Sequence, residues 1–480
     1  MSYTDKSYED KELEILRQAV DDAEQRSGRK VANSPEIHEI IVTVENFLRK
    51  KKLICYGGTA INNILPSEDQ FYDKSVEIPD YDFFSNNALN DAKELADIYF
   101  KQGFDEVEAK SGVHKGTYKV FVNYIPVADI TQLDIELYKN IKREAISVAG
   151  ILYTPPNYLR MSMYLELSRP NGDVSRWEKV LKRLTLLNKN YPLQGYKCNE
   201  QIFQRSMEDL KPDDADDIYN IVKMSLMNQG VIFFGGFANT LYSKYMPHHL
   251  KKQLKNIPDF DVLSENPGTC VTIVKERLMD SGVKKIKIIK HPGLGEVIAP
   301  HYEIKVGSET IAFIYQPLAC HSYNIINVKR NSIKIATIDT MLSFYLAFLY
   351  SDRPYYDDDR ILCMAQFLFK VQQKNRLKQK GLLKRFSINC YGKQQTLEDT
   401  RYKKAEMYKK LKGKRDSKEY EEWFLKYNPS NKSPQVEKQK NKKEKQKSTR
   451  RNNKTHNKKY NKKNKGKTKK IRFNFGSIEL

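Results

Sequence analysis

The chain of 480 residues is 40% hydrophobic, so it is long enough to bury two substantial cores and to form two or three domains. Its formal net charge is +23. No run approaches the roughly 20 apolar residues that span a bilayer, which argues against a membrane protein. Residues 1–6 lack an apolar signal segment, which argues against a secreted protein. The six cysteines are Cys55, Cys198, Cys270, Cys320, Cys363 and Cys390. They include no Cys-x-x-Cys pair, which predicts free thiols in a reducing compartment and argues against a zinc site or a disulfide scaffold.

Two helices are predicted before the first strand. Ser34 is a favourable N-cap residue, Pro35 suits the first helical position, and the basic run 49–52 suits a helix C-terminus. An earlier stripe of apolar residues has helical spacing and predicts an amphipathic helix in a small N-terminal region. It consists of Leu13, Leu16, Val20 and Ala23. We interpret the apolar side chains of both helices as core.

A paired-glycine turn follows the apolar run 53–56 and precedes a helix-compatible run. Gly57 and Gly58 allow backbone amides at a helix N-terminus to approach phosphate oxygens closely. Thr59 can add its hydroxyl, and Asn62, about one turn later, is placed to reach a nucleotide or its metal-bound phosphates. The Gly-Lys-Ser/Thr of a Walker A loop does not follow, so P-loop hydrolysis is not expected.

Two carboxylates, Asp80 and Asp82, flank an aromatic residue 23 positions after Gly57. Because side chains alternate along a strand, both should lie on one face. Asp129 lies inside an otherwise apolar strand and can complete the cluster from the side. Magnesium prefers such oxygen ligands, and two-metal nucleotidyl transfer requires ligands to both ions. The three aspartates are therefore the predicted catalytic and metal-binding residues of a nucleotidyltransferase domain.

The same signature returns later in the chain, in residues 234–237 and 257–262. With a constant offset of 184 residues, which brings Gln132 onto Gln316, Asp129 falls opposite Phe313. The second copy thus has two carboxylates where the first has three, and we expect it to be catalytically silent. Its own pair, Asp259 and Asp261, is interpreted as strand-end or RNA-facing residues.

A segment rich in aromatic and basic residues, 151–184, lies between the two copies. Arg176 and Lys179 could neutralise a triphosphate, and neighbouring aromatic residues could stack on a base. Trp177, Val180 and Leu184 have core spacing instead. The pattern leaves open whether Arg176 and Lys179 bind phosphate or only cover the surface of a helix.

The positive charge is concentrated near the C-terminus. Residues 432–472 contain 19 lysine or arginine residues and two glutamates, a net charge of +17. With few apolar residues, this segment is predicted to be disordered and to bind nucleic-acid phosphate without sequence preference. A nuclear-localisation or solubilising role is the alternative.

The fold class predicted from these patterns is α/β (α+β), with two tandem modules of small mixed sheets backed by helices. The predicted domains are an N-terminal helical region (1–48), a catalytic nucleotidyltransferase domain (49–195), a degenerate nucleotidyltransferase-like domain (196–390), a basic helical extension (391–430) and a disordered Lys-rich tail (431–480).

Several of these motifs together resemble the catalytic subunit of viral poly(A) polymerases, a family that comprises the poxvirus enzyme and its relatives in giant cytoplasmic DNA viruses. The giant-virus branch is the most similar, and the resemblance covers roughly residues 30–390. The segments that carry it are residues 57–62, 79–84, 127–130, 167–170 and 176–181.

The resemblance implies template-independent addition of AMP from ATP to RNA 3′ ends, as in mRNA polyadenylation. It implies two Mg²⁺ or Mn²⁺ ions bound by Asp80, Asp82 and Asp129, and a degenerate DNA polymerase β-like domain after the active one. In this family the poxvirus enzyme works with a cap-methyltransferase partner, whereas giant-virus relatives are similar to self-associating homodimers, and the sequence leaves both open. The implied location is the host cytoplasm, with packaging in the virion left open.

Two other functions agree with parts of the pattern. Another template-independent nucleotidyltransferase, transferring uridylyl groups or making oligoadenylate, would share every metal ligand and differ in its pocket and acceptor. A non-enzymatic RNA-binding scaffold with two inactive copies is the other alternative, and the intact triad of the first copy argues against it.

Overall fold

The computed structural model describes residues 8–73, 75–196, 198, 212–246, 258–328 and 331–432. Met1–Tyr427 forms one compact unit, and Asn428–Leu480 is the second, of which residues 428–432 are described. The tail predicted over residues 431–480 therefore lies outside the described residues after Lys432. Among the helices that are described, none has the length and apolar character needed to span a bilayer.

The first half of the compact unit contains seven strands and the helices around them. The helices are α1 (Tyr8–Ala32), α2 (Pro35–Lys51), α3 (Gly57–Ile64), α4 (Ala88–Lys101), α5 (Ile135–Arg143), α6 (Pro156–Leu167) and α7 (Trp177–Asn190). The strands are β1 (Ile54–Cys55), β2 (Tyr81–Ser85), β3 (Val107–Ser111), β4 (Thr117–Val122), β5 (Ile125–Gln132), β6 (Ile146–Val148) and β7 (Ile151–Tyr153).

The second half has the same kind of organisation. Its described helices are α8 (Pro212–Asn228), α9 (Gly235–Tyr242), α10 (Pro267–Asp280), α11 (Ile338–Phe348), α12 (Asp358–Lys374), α13 (Leu397–Leu411) and α14 (Lys418–Phe424). Its strands are β8 (Ile232–Phe234), β9 (Phe260–Leu263), β10 (Ile286–His291), β11 (His301–Val306), β12 (Glu309–Tyr315), β13 (His321–Val328), β14 (Asn331–Ala336), β15 (Cys390–Tyr391) and β16 (Lys426–Tyr427).

Two eight-stranded mixed sheets organise the described residues, and seven strands of each follow the same order, while the eighth strands, β16 and β15, extend opposite edges. The first has the order β16-β3-β4-β5-β2-β1-β7-β6 and the second β10-β11-β12-β9-β8-β14-β13-β15. The central β2 pairs parallel with β5 and antiparallel with β1, as β9 does with β12 and β8. Strands β4 and β11 begin 184 residues apart, at Thr117 and His301, as do β5 and β12. The offset found in the sequence is therefore the offset between equivalent strands.

The two sheets are joined through the helices that follow β7 and β14. Helix α6 packs against α11, all eleven residues of which are buried. Asn140 of α5 donates to the backbone carbonyl of Tyr350 at 2.9 Å, and Tyr350 also packs edge-on against Tyr158 of α6. Arg353 pairs with Glu136 at 3.0 Å. Both sheets therefore share one hydrophobic core through this pair of helices.

The N-terminal helices differ in how far they follow the sequence-based prediction. Helix α2 begins as predicted, with the Ser34 side chain accepting the amide of Ile37 and Pro35 in the first turn. The prediction that the stripe of α1 is core is wrong, because Leu13, Leu16 and Val20 are about half exposed, at 47%, 58% and 46%. An apolar repeat predicts a helix but does not identify the surface against which that helix packs.

The prediction of free thiols is wrong for four of the six cysteines. Cys198 is bonded to Cys363 and Cys320 to Cys390, with Cα atoms 5.2 Å apart in each pair. The separations of 165 and 70 residues explain why spacing along the chain gave no signal. The buried Cys55 and Cys270 are free thiols, as predicted.

The last described elements return to the first sheet. Strand β16 pairs antiparallel with the edge strand β3, with Tyr427 opposite Ala109. Lys93 of α4 pairs with Glu421 at 2.7 Å, and Trp423 is buried. Residues predicted as a basic helical extension therefore complete one edge of the sheet that carries Asp82 and Asp129.

Candidate active site

The three predicted catalytic carboxylates come together at one end of β2 and β5. Asp80 immediately precedes β2, Asp82 is its second residue, and Asp129 lies directly opposite Asp82 on the parallel strand β5. One oxygen from each carboxylate lies within 4.8 Å of the other two. This convergence follows from the period of two along β2 and from the register between β2 and β5.

Three acids held so close together affect one another's ionisation. Burial, reinforced by the charges of Asp80 and Asp129, raises the pKa of Asp82 to about 7. Burial and the charge of Asp129 also raise the pKa of Asp80. Lys119 of β4, opposite Asp129, donates to its Oδ2 and supplies a compensating positive charge.

The cluster fits a divalent cation. Oδ1 of Asp129 is buried and accepts no hydrogen bond from any described residue. A buried carboxylate oxygen without a partner costs free energy, and a bound cation would satisfy it. The donor set consists of three carboxylates, which are the hard oxygen ligands that Mg²⁺ and Mn²⁺ prefer.

The paired-glycine turn faces the carboxylates. Gly57 begins α3 with φ +72°, in the left-handed region that favours glycine. A Cβ atom at this position would lie 2.6 Å from Oδ2 of Asp82, so the turn can approach the carboxylate this closely only as glycine. Tyr56, the N-cap residue, provides no side-chain cap, which leaves amides of the first helical turn available to an anion.

Thr59 and Asn62 are both buried and serve the architecture of the site. The hydroxyl of Thr59 donates to the backbone carbonyl of Asp80 at 2.8 Å and thereby ties the turn to the start of β2. Oδ1 of Asn62 accepts the backbone amides of Phe71 and Tyr72, at 2.7 and 2.9 Å. Asn62 also lines the cavity beside the carboxylates, so its predicted contact with a nucleotide stays a prediction.

A cavity of about 710 Å³ opens between this turn, the carboxylates and helices α6 and α7. Arg176 and Lys179 both line it, and both are exposed. Arg176 also pairs with Glu166 at 3.2 Å. Arg183 lines the same cavity, donates to the hydroxyl of Tyr72 at 2.7 Å and lies over the ring of Phe71. The cavity thus has carboxylates at one end and cations along one wall.

Sequence reasoning missed three charged residues of the site. Arg183 follows Arg176 and Lys179 at helical spacing (i, i+3, i+7), and that pattern could have identified it. Lys119 could have been found by pairing β4 with β5 across their short turn, which places it opposite Asp129. The glutamate that pairs with Arg176, Glu166, was not predicted either.

The equivalent place in the second sheet is closed. Asp261 lies opposite Phe313 in the register between β9 and β12, as Asp82 lies opposite Asp129. Phe313 is fully buried, and the space beside Asp259 and Asp261 amounts to only about 20 Å³. Asp259 is 3% exposed, so the interpretation of Asp259 as RNA-facing is wrong.

Comparison with known proteins agrees with the geometry of the first sheet. Residues 42–173 match the family model described as the poly(A) polymerase catalytic subunit. This part of the chain is therefore similar to that family. The match spans α2 through α6, including Gly57 and all three carboxylates.

Proteins named as poly(A) polymerase catalytic subunits are similar over part of their length. One from African swine fever virus (strain Badajoz 1971 Vero-adapted) is 34% identical over 171 residues, which are 34% of this chain and 36% of that protein. One from Acanthamoeba polyphaga mimivirus is 29% identical over 198 residues, 39% of this chain and 33% of that protein. The chain therefore spans about a third of the length of these relatives.

The similarity of fold extends much further along the chain. The crystal structure of the Megavirus polyadenylate synthase superposes with a TM-score of 0.73 and covers 93% of this chain and 91% of that one, at 21% sequence identity. The two-sheet architecture is therefore shared well beyond residues 42–173.

Proposed function

We propose that the chain is a template-independent polynucleotide adenylyltransferase, a poly(A) polymerase that adds AMP from ATP to RNA 3′ ends. The observation that carries the proposal is the set of Asp80, Asp82 and Asp129, held on paired strands beside a glycine turn. The similarity of residues 42–173 to that family supports the choice of this reaction among those that such a cluster could serve.

The position of each residue in the cavity determines the role that we assign to it. The amides after Gly57 and Gly58 bind phosphate oxygens of the nucleotide, while the cations of α7 neutralise its outer phosphates. Asp80, Asp82 and Asp129 would hold two Mg²⁺ or Mn²⁺ ions. When bound, such ions activate the attacking 3′-hydroxyl and stabilise charge on the leaving pyrophosphate. Asp129 lies on β5, which is separated from β1 and the glycine turn by β2, and we assign it the side of the cluster nearest the acceptor.

The second sheet is proposed to be a degenerate nucleotidyltransferase module with a structural role. The order that seven of its strands share with the first sheet supports a common origin, and the buried Phe313 in place of a third carboxylate supports its loss of activity. The domain limits given above belong to the same proposal. So does the location in the host cytoplasm, with packaging in the virion left open. A homodimer and a cap-methyltransferase-like partner remain the two alternatives for its assembly.

Primer extension tests the proposal directly. A short labelled RNA is incubated with the protein, Mg²⁺ or Mn²⁺, and each of the four ribonucleoside triphosphates separately. We expect a ladder with ATP, and loss of the ladder in Asp80→Ala/Asp82→Ala and in Asp129→Asn. Because Asp129→Asn preserves the shape of the side chain, the circular dichroism spectrum and melting temperature of this variant should match those of the wild-type protein.

The other outcomes identify the alternatives. Equal or better extension with UTP would make the protein a different terminal nucleotidyltransferase. Oligoadenylate formed without a primer would indicate a synthase that needs no RNA acceptor. RNA binding without extension by any nucleotide would support the scaffold.

A further inference from the structure

The order of the strands defines the side of the cavity from which an acceptor must arrive, if the proposed function holds. The strands β1, β2, β5 and β4 are neighbours in this order. The glycine turn follows β1, Asp82 lies on β2, Asp129 on β5 and Thr117 on β4. In-line transfer puts the attacking hydroxyl opposite the leaving pyrophosphate. With the outer phosphates at the glycine turn and α7, the acceptor enters from the side of β4.

The turn between β3 and β4 forms that side of the cavity. His114 at its tip and Thr117 at the start of β4 both line the cavity that holds the carboxylates. His114 is exposed, and Gly116 takes a positive φ of +85° to close the turn. An imidazole ring and a hydroxyl at this place suit a ribose and a base.

The C-terminal segment of the compact unit holds this turn in place. Lys404 of α13 donates to the carbonyl of Gly112 at 2.8 Å, and the amide of Ser111 donates to the carbonyl of Leu425 at 3.0 Å. Nζ of Lys115, inside the turn, lies 5.5 Å from the ring centre of Trp423. Helix α13 is therefore fixed directly beside the acceptor side of the cavity.

The outer surface of α13 and its end is strongly basic. Between Arg401 and Arg415 the chain has eight lysine or arginine residues and one acid, Glu406, while Glu398, Asp399 and Asp416 flank this stretch. Ordinary exposed helices mix the two signs in pairs three or four residues apart. Tyr402 and Tyr408 are 67% and 41% exposed among these charges. Basic side chains interleaved with exposed aromatic rings are typical of surfaces that bind single-stranded nucleic acid. The exposed basic residues, here called the α13 basic surface, are Arg401, Lys403, Lys409, Lys410, Lys412, Lys414 and Arg415.

We propose that the β3–β4 turn and the α13 basic surface form the binding site for the acceptor RNA. The turn, through His114, contacts the 3′-terminal nucleotide. The α13 basic surface binds the phosphates of the nucleotides that precede it, and Tyr402 and Tyr408 stack on their bases. A helix of 15 residues is about 22 Å long, enough to follow several nucleotides of a single strand.

Removing charge from the α13 basic surface tests the proposal. Lys403→Gln/Lys409→Gln/Lys410→Gln is compared with Lys284→Gln/Lys285→Gln/Lys287→Gln, which removes the same charge from three exposed lysines at the start of β10 in the second sheet. We expect the first triple to weaken binding of a ~15-nucleotide RNA about tenfold or more, measured by fluorescence anisotropy, and the second to change it less than about twofold. Arginine at positions 403, 409 and 410 should retain the affinity.

Kinetics separate this site from the nucleotide site. In the first triple, KM should rise for the ~15-nucleotide primer and stay unchanged for ATP and for a primer of ~4 nucleotides, too short to extend along α13. His114→Ala should raise KM for both primers and leave that for ATP unchanged. Equal weakening by the two triples, or none by either, would overturn the proposal.

The readouts also distinguish this inference from the proposed function. If the proposed function were wrong, no primer would be extended by any variant, yet the difference in RNA affinity between the two triples would remain. If only the acceptor site were wrong, the wild-type protein would extend both primers and the first triple would do so with unchanged KM.

Discussion

Asp82, a proposed metal ligand, illustrates how a buried carboxylate beside other acids lowers the stability of the protein that carries it. Its pKa is raised to about 7 by burial and by Asp80 and Asp129, whereas an unfolded aspartate titrates near about 3.9. Between these values the folded state binds more protons than the unfolded state, so without metal stability falls as pH rises from about 4 to 7. Above that range the folded protein retains a repulsive, poorly solvated charge.

Asp82→Asn removes this charge while keeping the shape of the side chain. In EDTA at pH 8 we expect the free energy of unfolding to rise by about 1–2 kcal/mol, because repulsion and desolvation are both relieved. At pH 4 the gain should largely vanish. Denaturant unfolding at the two pH values measures the effect. Asn63→Asp is the control, because it adds a carboxylate to the same cavity instead of removing one. A loss of stability at pH 8 would contradict the electrostatic argument.

Gly57 shows a separate constraint, in which backbone conformation and close approach coincide. Gly57→Ala should cost about 1–2 kcal/mol for the positive φ, and in addition displace Asp82, because the new Cβ atom would meet its Oδ2 at 2.6 Å. Gly307→Ala is the matched control, since Gly307 has φ +63° and a Cβ atom added there would meet no atom of the described residues within 4 Å. Both variants should melt earlier than the wild-type protein, but only Gly57→Ala should lose ATP incorporation. Equal activities would show that the close approach is unimportant.

Single residues were predictable from sequence where a local rule fixes their geometry. The alternation of Asp80 and Asp82 and the glycine requirement at Gly57 are of this kind. Asn62 was harder to interpret, because its bonds to Phe71 and Tyr72 depend on the path of a later loop. A polar side chain near a phosphate turn has the same sequence signature whether it contacts the ligand or supports the loop.

At the scale of elements, the two sheets provide an internal comparison. Asp82 and Asp261 occupy equivalent positions on β2 and β9. Asp82 lies opposite Asp129 on the parallel strand β5, and Asp261 lies opposite Phe313 on the parallel strand β12. Asp82→Ala should abolish nucleotide transfer, because a metal ligand is lost. Asp261→Ala should keep transfer within about threefold of wild type, since the space beside Asp261 has no room for a nucleotide.

Metal binding and folding provide the controls for this pair. Titration with Mn²⁺ should show weaker binding in Asp82→Ala and unchanged binding in Asp261→Ala. Melting temperatures establish that both variants fold. Comparable loss of transfer in a folded Asp261→Ala protein would mean that the second module takes part in catalysis.

Elements that pair over long separations could not be anticipated from sequence patterns. Strand β16 adds to β3 although more than 300 residues separate them. The two residues of β16 are too few to show a period, and the pairing depends on how α13 and α14 return to the first sheet. The same reason explains the missed disulfide between Cys198 and Cys363, which are 165 residues apart in the sequence.

At the scale of the whole molecule, charge is divided between a weakly charged body and a basic C-terminal segment. Removing residues 433–480 takes away 18 lysine or arginine residues and three glutamates. We expect this deletion to weaken binding of a ~30-nucleotide RNA about tenfold at ~0.1 M salt, and to flatten the dependence of affinity on salt, because fewer counterions are released. The kcat for a short primer should not change, since the carboxylates and their cavity belong to residues 56–183.

Sequence order within this segment provides the decisive control. Binding that depends only on charge should be restored by a tail of the same composition in scrambled order, because phosphate contacts carry no base information. A tail with the lysines replaced by glutamine should behave like the deletion. If the deletion leaves RNA affinity unchanged at every salt concentration, the segment does not bind the acceptor, and a localisation or solubilising role becomes the better interpretation. If only the native order restores affinity, the segment contains a specific motif and the electrostatic account is wrong.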